Sequence, residues 1–230
     1  MNKNLGIILG IIGVVVLIIV ATVLPAKEEK YEENLLNIQY DIKGNETTLS
    51  YDTNNPVVAL YIKKYGSVVM ELYPDIAPNT VNNFISLIKK GFYDGNSFHR
   101  LMPGFVLQGG DPTGTGSGGP GYNIKGEFTN NGFENNLSHG QWVVSMARAT
   151  PPDTAGSQFF ICLDDASSSL DNSYAAFGKV IDGFDALKAI EEKERIADQK
   201  SGKLVTNLTL VKALVDVKGV EYPEPETLPE

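Results

Sequence analysis

From residue 55 to residue 218 the apolar residues fall into short runs, each followed within a few positions by a turn-forming residue. The runs at 57–62 and 67–73 flank Lys64-Tyr65-Gly66, the pattern of a β-hairpin. Further β-rich runs lie near 105–108, 143–146, 158–162, 176–180 and 208–217. Two stretches have a different period. Pro78 opens a segment with Val81, Phe84, Ile85 and Ile88 at helical spacing, closed by Gly91, and residues 184–195 carry Leu187 and Ile190 on one side. Many short strands with two helices predict a mainly β fold, a closed barrel whose open ends the helices cover.

The flanks read differently. Residues 5–24 form a stretch of twenty residues without a charge, preceded by Lys3 and followed by Lys27-Glu28-Glu29-Lys30. As a helix it would be roughly 30 Å long, the thickness of the bilayer core. A removable signal usually has an apolar region of about 7–15 residues ending in a small-x-small site. Leu24-Pro25-Ala26 matches such a site poorly, so residues 1–26 are expected to be an uncleaved transmembrane anchor, the rival being a signal segment with secretion. Lys3 ahead of the segment points to a cytoplasmic N-terminus with the rest outside. Residues 27–54 are polar and poorly periodic, as in a stalk. Residues 219–230, with four acids and three prolines, read as a solvated acidic Pro-rich tail, too poor in apolar surface to repay its ordering. The folded domain is then 55–218.

Composition removes several functions. A net charge of −9 argues against nucleic acid, whose phosphates demand a concentrated basic surface. Cys162 stands alone in the run Phe159-Phe160-Ile161-Cys162-Leu163, which reads as a small buried hydrophobe and not as a reactive thiol. With two histidines and one cysteine a zinc site is not expected. The glycine-rich stretch 109–121 lacks the Gly-Lys-Ser/Thr ending of a phosphate loop and reads as a tight surface loop. Neither Ser117 nor Ser157 has the glycine spacing of a hydrolase elbow, and His99 and His139 read as structural residues.

Polar residues embedded in apolar strands remain. The first group is Phe98-His99-Arg100-Leu101-Met102-Pro103-Gly104-Phe105-Val106-Leu107-Gln108-Gly109-Gly110-Asp111. The second comprises Ser145-Met146-Ala147-Arg148-Ala149 and Ala155-Gly156-Ser157-Gln158-Phe159-Phe160-Ile161. The third is Leu170-Asp171-Asn172-Ser173-Tyr174-Ala175-Ala176-Phe177-Gly178-Lys179-Val180. In this order they closely resemble the cyclophilin family of peptidyl-prolyl cis/trans isomerases. The resemblance covers roughly residues 55–218 and implies a closed eight-stranded antiparallel β-barrel capped by two α-helices.

By motif, the resemblance makes Arg100 the catalytic arginine and Phe105, Phe160 and Leu170 the apolar wall that receives the substrate proline. Gln108 would orient the arginine and contact substrate backbone. Ala147 and Arg148 fall where the family contacts the residue before the proline, and Val106, Gln158 and Tyr174 complete the expected binding set. Val106 stands where many members have Met, Tyr174 replaces a His of many eukaryotic members, and residues 166–169 lack the Trp of cyclosporin-sensitive members. The last two departures resemble the bacterial branch and put tight cyclosporin binding in doubt. The implied partners are proline-containing polypeptides, engaged by a monomer that needs no metal, nucleotide or redox cofactor. The rival class is a non-catalytic module, or a chaperone-like holdase, that holds proline segments on the same fold.

Overall fold

The computed structural model describes residues 51–230, so the candidate membrane segment and most of the stalk lie outside the described residues. Nine strands follow in chain order: β1 (Val57–Ile62), β2 (Gly66–Leu72), β3 (Ser97–Met102), β4 (Val106–Asp111), β5 (Val143–Met146), β6 (Phe159–Cys162), β7 (Ala176–Asp182), β8 (Ile196–Asp198) and β9 (Lys203–Asp216). The helices are α1 (Pro78–Lys89), a single turn α2 (Ser167–Leu170) and α3 (Phe184–Lys193). Every pairing is antiparallel. The lateral order β1-β2-β7-β5-β6-β4-β3-β9 returns to β1 through the β1–β9 pairing, which closes an eight-stranded barrel. The three-residue β8 pairs only with β9, outside the ring.

Closure explains why the strands read as continuous apolar runs. All six residues of β1 are buried. In β6, Phe159 and Ile161 point into the main core, while Phe160 and Cys162 belong to a separate apolar cluster on the other face. The main core centres on Phe84 of α1, whose ring lies 5.0 Å from Tyr93, 5.2 Å from Phe159 and 5.1 Å from Phe177 between centroids. Leu187 and Ile190 of α3 are fully buried in the same core.

The α1 boundaries have local causes. Pro78 occupies the first turn, and the free N–H groups of Asn79 and Thr80 donate to the Glu127 carboxylate at 3.0 and 2.7 Å. At the other end Gly91 takes φ +70°. Its N–H donates to Ile88 O and that of Phe92 to Leu87 O, both at 2.9 Å, which closes the helix as expected from the glycine.

Five features differ from the sequence expectation. Residues 97–102 form a strand of their own, β9 starts near 203 and not 208, and the serine-rich stretch holds the extra turn α2. The end of the stalk is tied to the barrel: Tyr51 donates to Asp182 Oδ2 at 2.7 Å, and Thr53 to Glu71. The tail is also not a free extension. Tyr222 packs against the core, and Leu228 and Asn123 exchange backbone bonds at 2.7 and 2.9 Å. Asn79 exchanges side-chain bonds with the Glu226 backbone at 2.8 and 3.0 Å. Polar contacts dock this segment on the barrel, although most of its residues stay exposed as the composition led one to expect.

Candidate active site

Cross-strand register puts the site on the outside of the barrel. Arg100 of β3 pairs with Gln108 of β4, Gln108 with Phe160 of β6, and Phe160 with Ser145 of β5. Residues directly opposite one another share a face, so four strands present one lateral row. Their neighbours Leu101, Leu107, Phe159, Ile161 and Val144 face inward to the core. Alternation with period two thus separates the fold's interior from its working surface.

Around this row Val106, Phe160, Cys162, Ala166 and Leu170 form a second apolar cluster, with Met102, Phe105, Ala147 and Tyr174 packed against it. The cluster floors a cavity of about 260 Å³ lined by Arg100, Phe105, Val106, Gln108, Ala147, Arg148, Phe160, Leu170 and Tyr174. Nine of the ten residues expected from sequence are therefore brought together. The tenth, Gln158, joins them by a hydrogen bond. Phe160 and Tyr174 meet edge to face at 5.7 Å, so the ring forming the wall has one orientation.

A chain of amides fixes the arginine. Arg100 donates through Nη1 to Gln108 Oε1 at 3.0 Å and through Nε to Ser201 O at 2.9 Å. Gln108 Nε2 donates to Gln158 Oε1 at 3.0 Å, and Gln158 Nε2 to Gly118 O at 2.9 Å. Burial lowers the Arg100 pKa and Tyr174 opposes that, but a guanidinium remains charged in either case. Arg148, also in the lining, is held by the backbone. Its guanidinium donates to the carbonyls of Ser173, Ala149 and Thr150 and stacks 4.8 Å above Tyr174.

Three residues outside the expected binding set, His139, Asp171 and Ser145, support the wall. The buried His139 ring is stacked on Phe160, with 6.1 Å between centroids. Its Nδ1–H donates to Asp171 Oδ1 at 2.8 Å, which leaves Nε2 to accept from the Ser145 hydroxyl at 3.0 Å. The order Ser-His-Asp imitates a hydrolase triad, but Ser145 is wholly buried and does not line the cavity, so no substrate carbonyl reaches it. The set holds Phe160 from behind, in keeping with the structural role expected for His139. A signal was available: Asp171 follows Leu170 directly in the third motif.

Asp111 organises the glycine-rich loop. Its carboxylate accepts from Thr113 N and Oγ1 at 2.7 and 2.8 Å, from Gly116 N at 2.6 Å and from Thr115 N at 3.0 Å. Burial pushes this carboxyl's pKa up, but the bonds from Thr113, Gly118 and Gly116 outweigh it and hold the group far below the usual carboxylate range. The loop then walls a second cavity of about 360 Å³, which shares Gln108, Ala147 and Arg148 with the first.

Fold and site together define a class: an antiparallel barrel with an apolar slot on its outer wall beside a fixed guanidinium. Comparison with known proteins agrees. The family model for cyclophilin type peptidyl-prolyl cis-trans isomerases matches residues 57–215. Peptidyl-prolyl cis-trans isomerase B of Bacillus subtilis is 49% identical over 121 residues, 53% of this chain and 80% of that one. A peptidyl-prolyl cis-trans isomerase of Helicobacter pylori is 44% identical over 133 residues, covering 57% and 78% respectively. Among solved structures, the Cryptosporidium parvum cyclophilin type isomerase determined in the presence of the dipeptide Ala-Pro superposes with a TM-score of 0.60 at 33% identity, over 69% of this chain and 98% of that one. The chain belongs to the cyclophilin-type peptidyl-prolyl cis-trans isomerases, and it is an enzyme of that class.

Proposed function

We propose that this domain speeds X–Pro isomerisation in protein substrates without a covalent intermediate, with Arg100 as the catalytic residue and the outer apolar cavity as the proline slot. The observation that carries this reading is the placement of the Arg100 guanidinium, bonded to Gln108, on the rim of a cavity walled by Phe105, Phe160 and Leu170. The planar X–Pro amide is held by resonance, and rotation crosses a barrier of about 18–20 kcal/mol. A catalyst therefore needs to bind the twisted amide better than the planar one. The slot takes the pyrrolidine ring and displaces water, which removes solvation that favours the charge-separated planar form. As resonance is lost the prolyl nitrogen regains its lone pair and becomes an acceptor. Arg100, already oriented by Gln108 and Ser201, meets it with a donor that requires little rearrangement.

The test is a peptide assay with a proline tetrapeptide, comparing parent and Arg100→Ala. The variant should keep its fold by circular dichroism and lose at least about tenfold in kcat/KM, or about 1.4 kcal/mol of transition-state stabilisation. Equal activity would remove Arg100 from the chemistry.

The setting is the second part of the proposal. Residues 5–24 are read as a membrane anchor that leaves the isomerase on the extracytoplasmic side, where it assists folding; secretion after signal cleavage is the competing outcome. Among the described residues no helix is long and apolar enough to cross a membrane. Tyr174 in place of His and the Trp-free 166–169 stretch support a place in the bacterial branch.

A further inference from the structure

The tail does more than dock. From Tyr222 it runs past α1, where Glu224 meets Lys90 Nζ at 2.7 Å and accepts from Ser86 Oγ at 2.8 Å. It is pinned next by the paired Asn79–Glu226 bonds and by the Asn123–Leu228 bridge, and Asn123 Nδ2 donates to Pro229 O at 3.2 Å. This course delivers Glu230 to the second cavity, whose lining it joins beside the glycine-rich loop. A Cβ placed on Gly119 would stand 3.6 Å from its Oε1.

The remaining lining of that cavity is almost free of formal charge. Glycines, Pro120, Tyr122, Asn123, Thr154 and the two glutamines supply most of it. Arg148 is the other charged member, and its guanidinium is committed to the carbonyls of Ser173, Ala149 and Thr150 and to the Tyr174 ring on the proline side. Glu230 is thus the one residue of the lining that brings negative charge to the far end.

Gln108, Ala147 and Arg148 form the ridge between the two cavities. An extended peptide advances about 3.3 Å per residue. With its proline in the first cavity and the preceding residue on the ridge, it drops the side chain two before the proline into the second. We propose that Glu230, held there by the docked tail, is a specificity-determining residue that selects substrates with a lysine or arginine two positions before the proline. This inference rests on the isomerase reading above.

The test uses the full-length protein in detergent and three N-acetylated peptides, Lys-Ala-Pro-Phe, Glu-Ala-Pro-Phe and Ala-Ala-Pro-Phe, followed by exchange spectroscopy at low salt. The parent should turn over the lysine peptide with a kcat/KM about three- to fivefold above the glutamate peptide, the scale of one partly exposed ion pair. The difference should lie in KM and shrink as salt rises from 0.01 M towards 1 M, where screening acts within a few ångströms. Glu230→Gln should bring the lysine-to-glutamate ratio close to one, Glu230→Lys should invert it, and Asn79→Ala, which frees the tail at Glu226, should reduce it. A ratio near one in the parent, or one that survives Glu230→Gln, overturns the assignment while turnover of the alanine peptide leaves the isomerase reading standing. Failure to turn over the alanine peptide overturns both.

Discussion

Arg100 illustrates what a single residue contributes once its neighbours are fixed. Its side chain carries a permanent charge, but the direction of that charge is set by Gln108 and by the Ser201 carbonyl. Arg100, Gln108 and Phe160 were legible in the sequence because polar and aromatic residues in otherwise apolar strands form specific motifs. Ser145 and Asp171 were not, because a short polar side chain beside a strand or turn is ordinary until the fold places it against His139. These buried groups have a measurable signature. Burial draws His139 and His99 below the usual histidine range, and the Asp171 bond opposes that shift for His139. A folded pKa below the unfolded value, about 6.5, means that the unfolded chain takes up protons first. Their contribution is complete above that value and is lost as pH falls towards the folded pKa. Urea unfolding should therefore show lower stability at pH 5.5 than at pH 8, with a smaller difference in His139→Asn. Equal or greater stability of the parent at pH 5.5 would contradict this account of the two histidines.

At the scale of elements, β5 and the α1 boundaries followed from the sequence because each has a local cause, an apolar run or a Pro78 and Gly91 stop. β3 was harder to isolate. His99 and Arg100 interrupt its apolar pattern, and the register shifts between Phe98 and Arg100 on both flanking strands. β8 has three residues and α2 four, too short for either periodicity to register. The glycine-rich loop was read correctly as a loop, but its centre, Asp111, was not apparent because its partners are backbone amides. Gly118 carries the clearest consequence. A Cβ there would collide with Asp111 Oδ1 and press on Thr113 Cγ2 and Oγ1, atoms already engaged around the same carboxylate. Gly118→Ala should cost about 1–3 kcal/mol in urea unfolding, the range for overpacking a tight site. No measurable loss would show that the Asp111 hub yields easily.

For the whole molecule, closure of the barrel is what turns β3–β6 into a rigid platform with its site outside, and the docked tail extends that platform around the second cavity. The barrel was legible as many short strands with few helices; the tail was not, since its contacts are hydrogen bonds that composition does not reveal. The location proposed for the enzyme depends on residues 5–24. The full-length protein should resist carbonate extraction and dissolve in detergent, and protease outside intact cells should release the isomerase domain; a soluble form beginning near Lys27 would establish cleavage and secretion, and a shielded domain would overturn the orientation. The central claim is that the outer slot turns the X–Pro bond over and does not merely hold it. The direct measurement is exchange spectroscopy of an Ala-Pro peptide at equilibrium with a small fraction of enzyme. The parent should raise the cis/trans exchange rate without changing the cis-to-trans ratio, and Arg100→Ala should lower that acceleration at least about tenfold. Peptide binding by the folded parent with no increase in exchange would contradict the claim and identify a holding module instead.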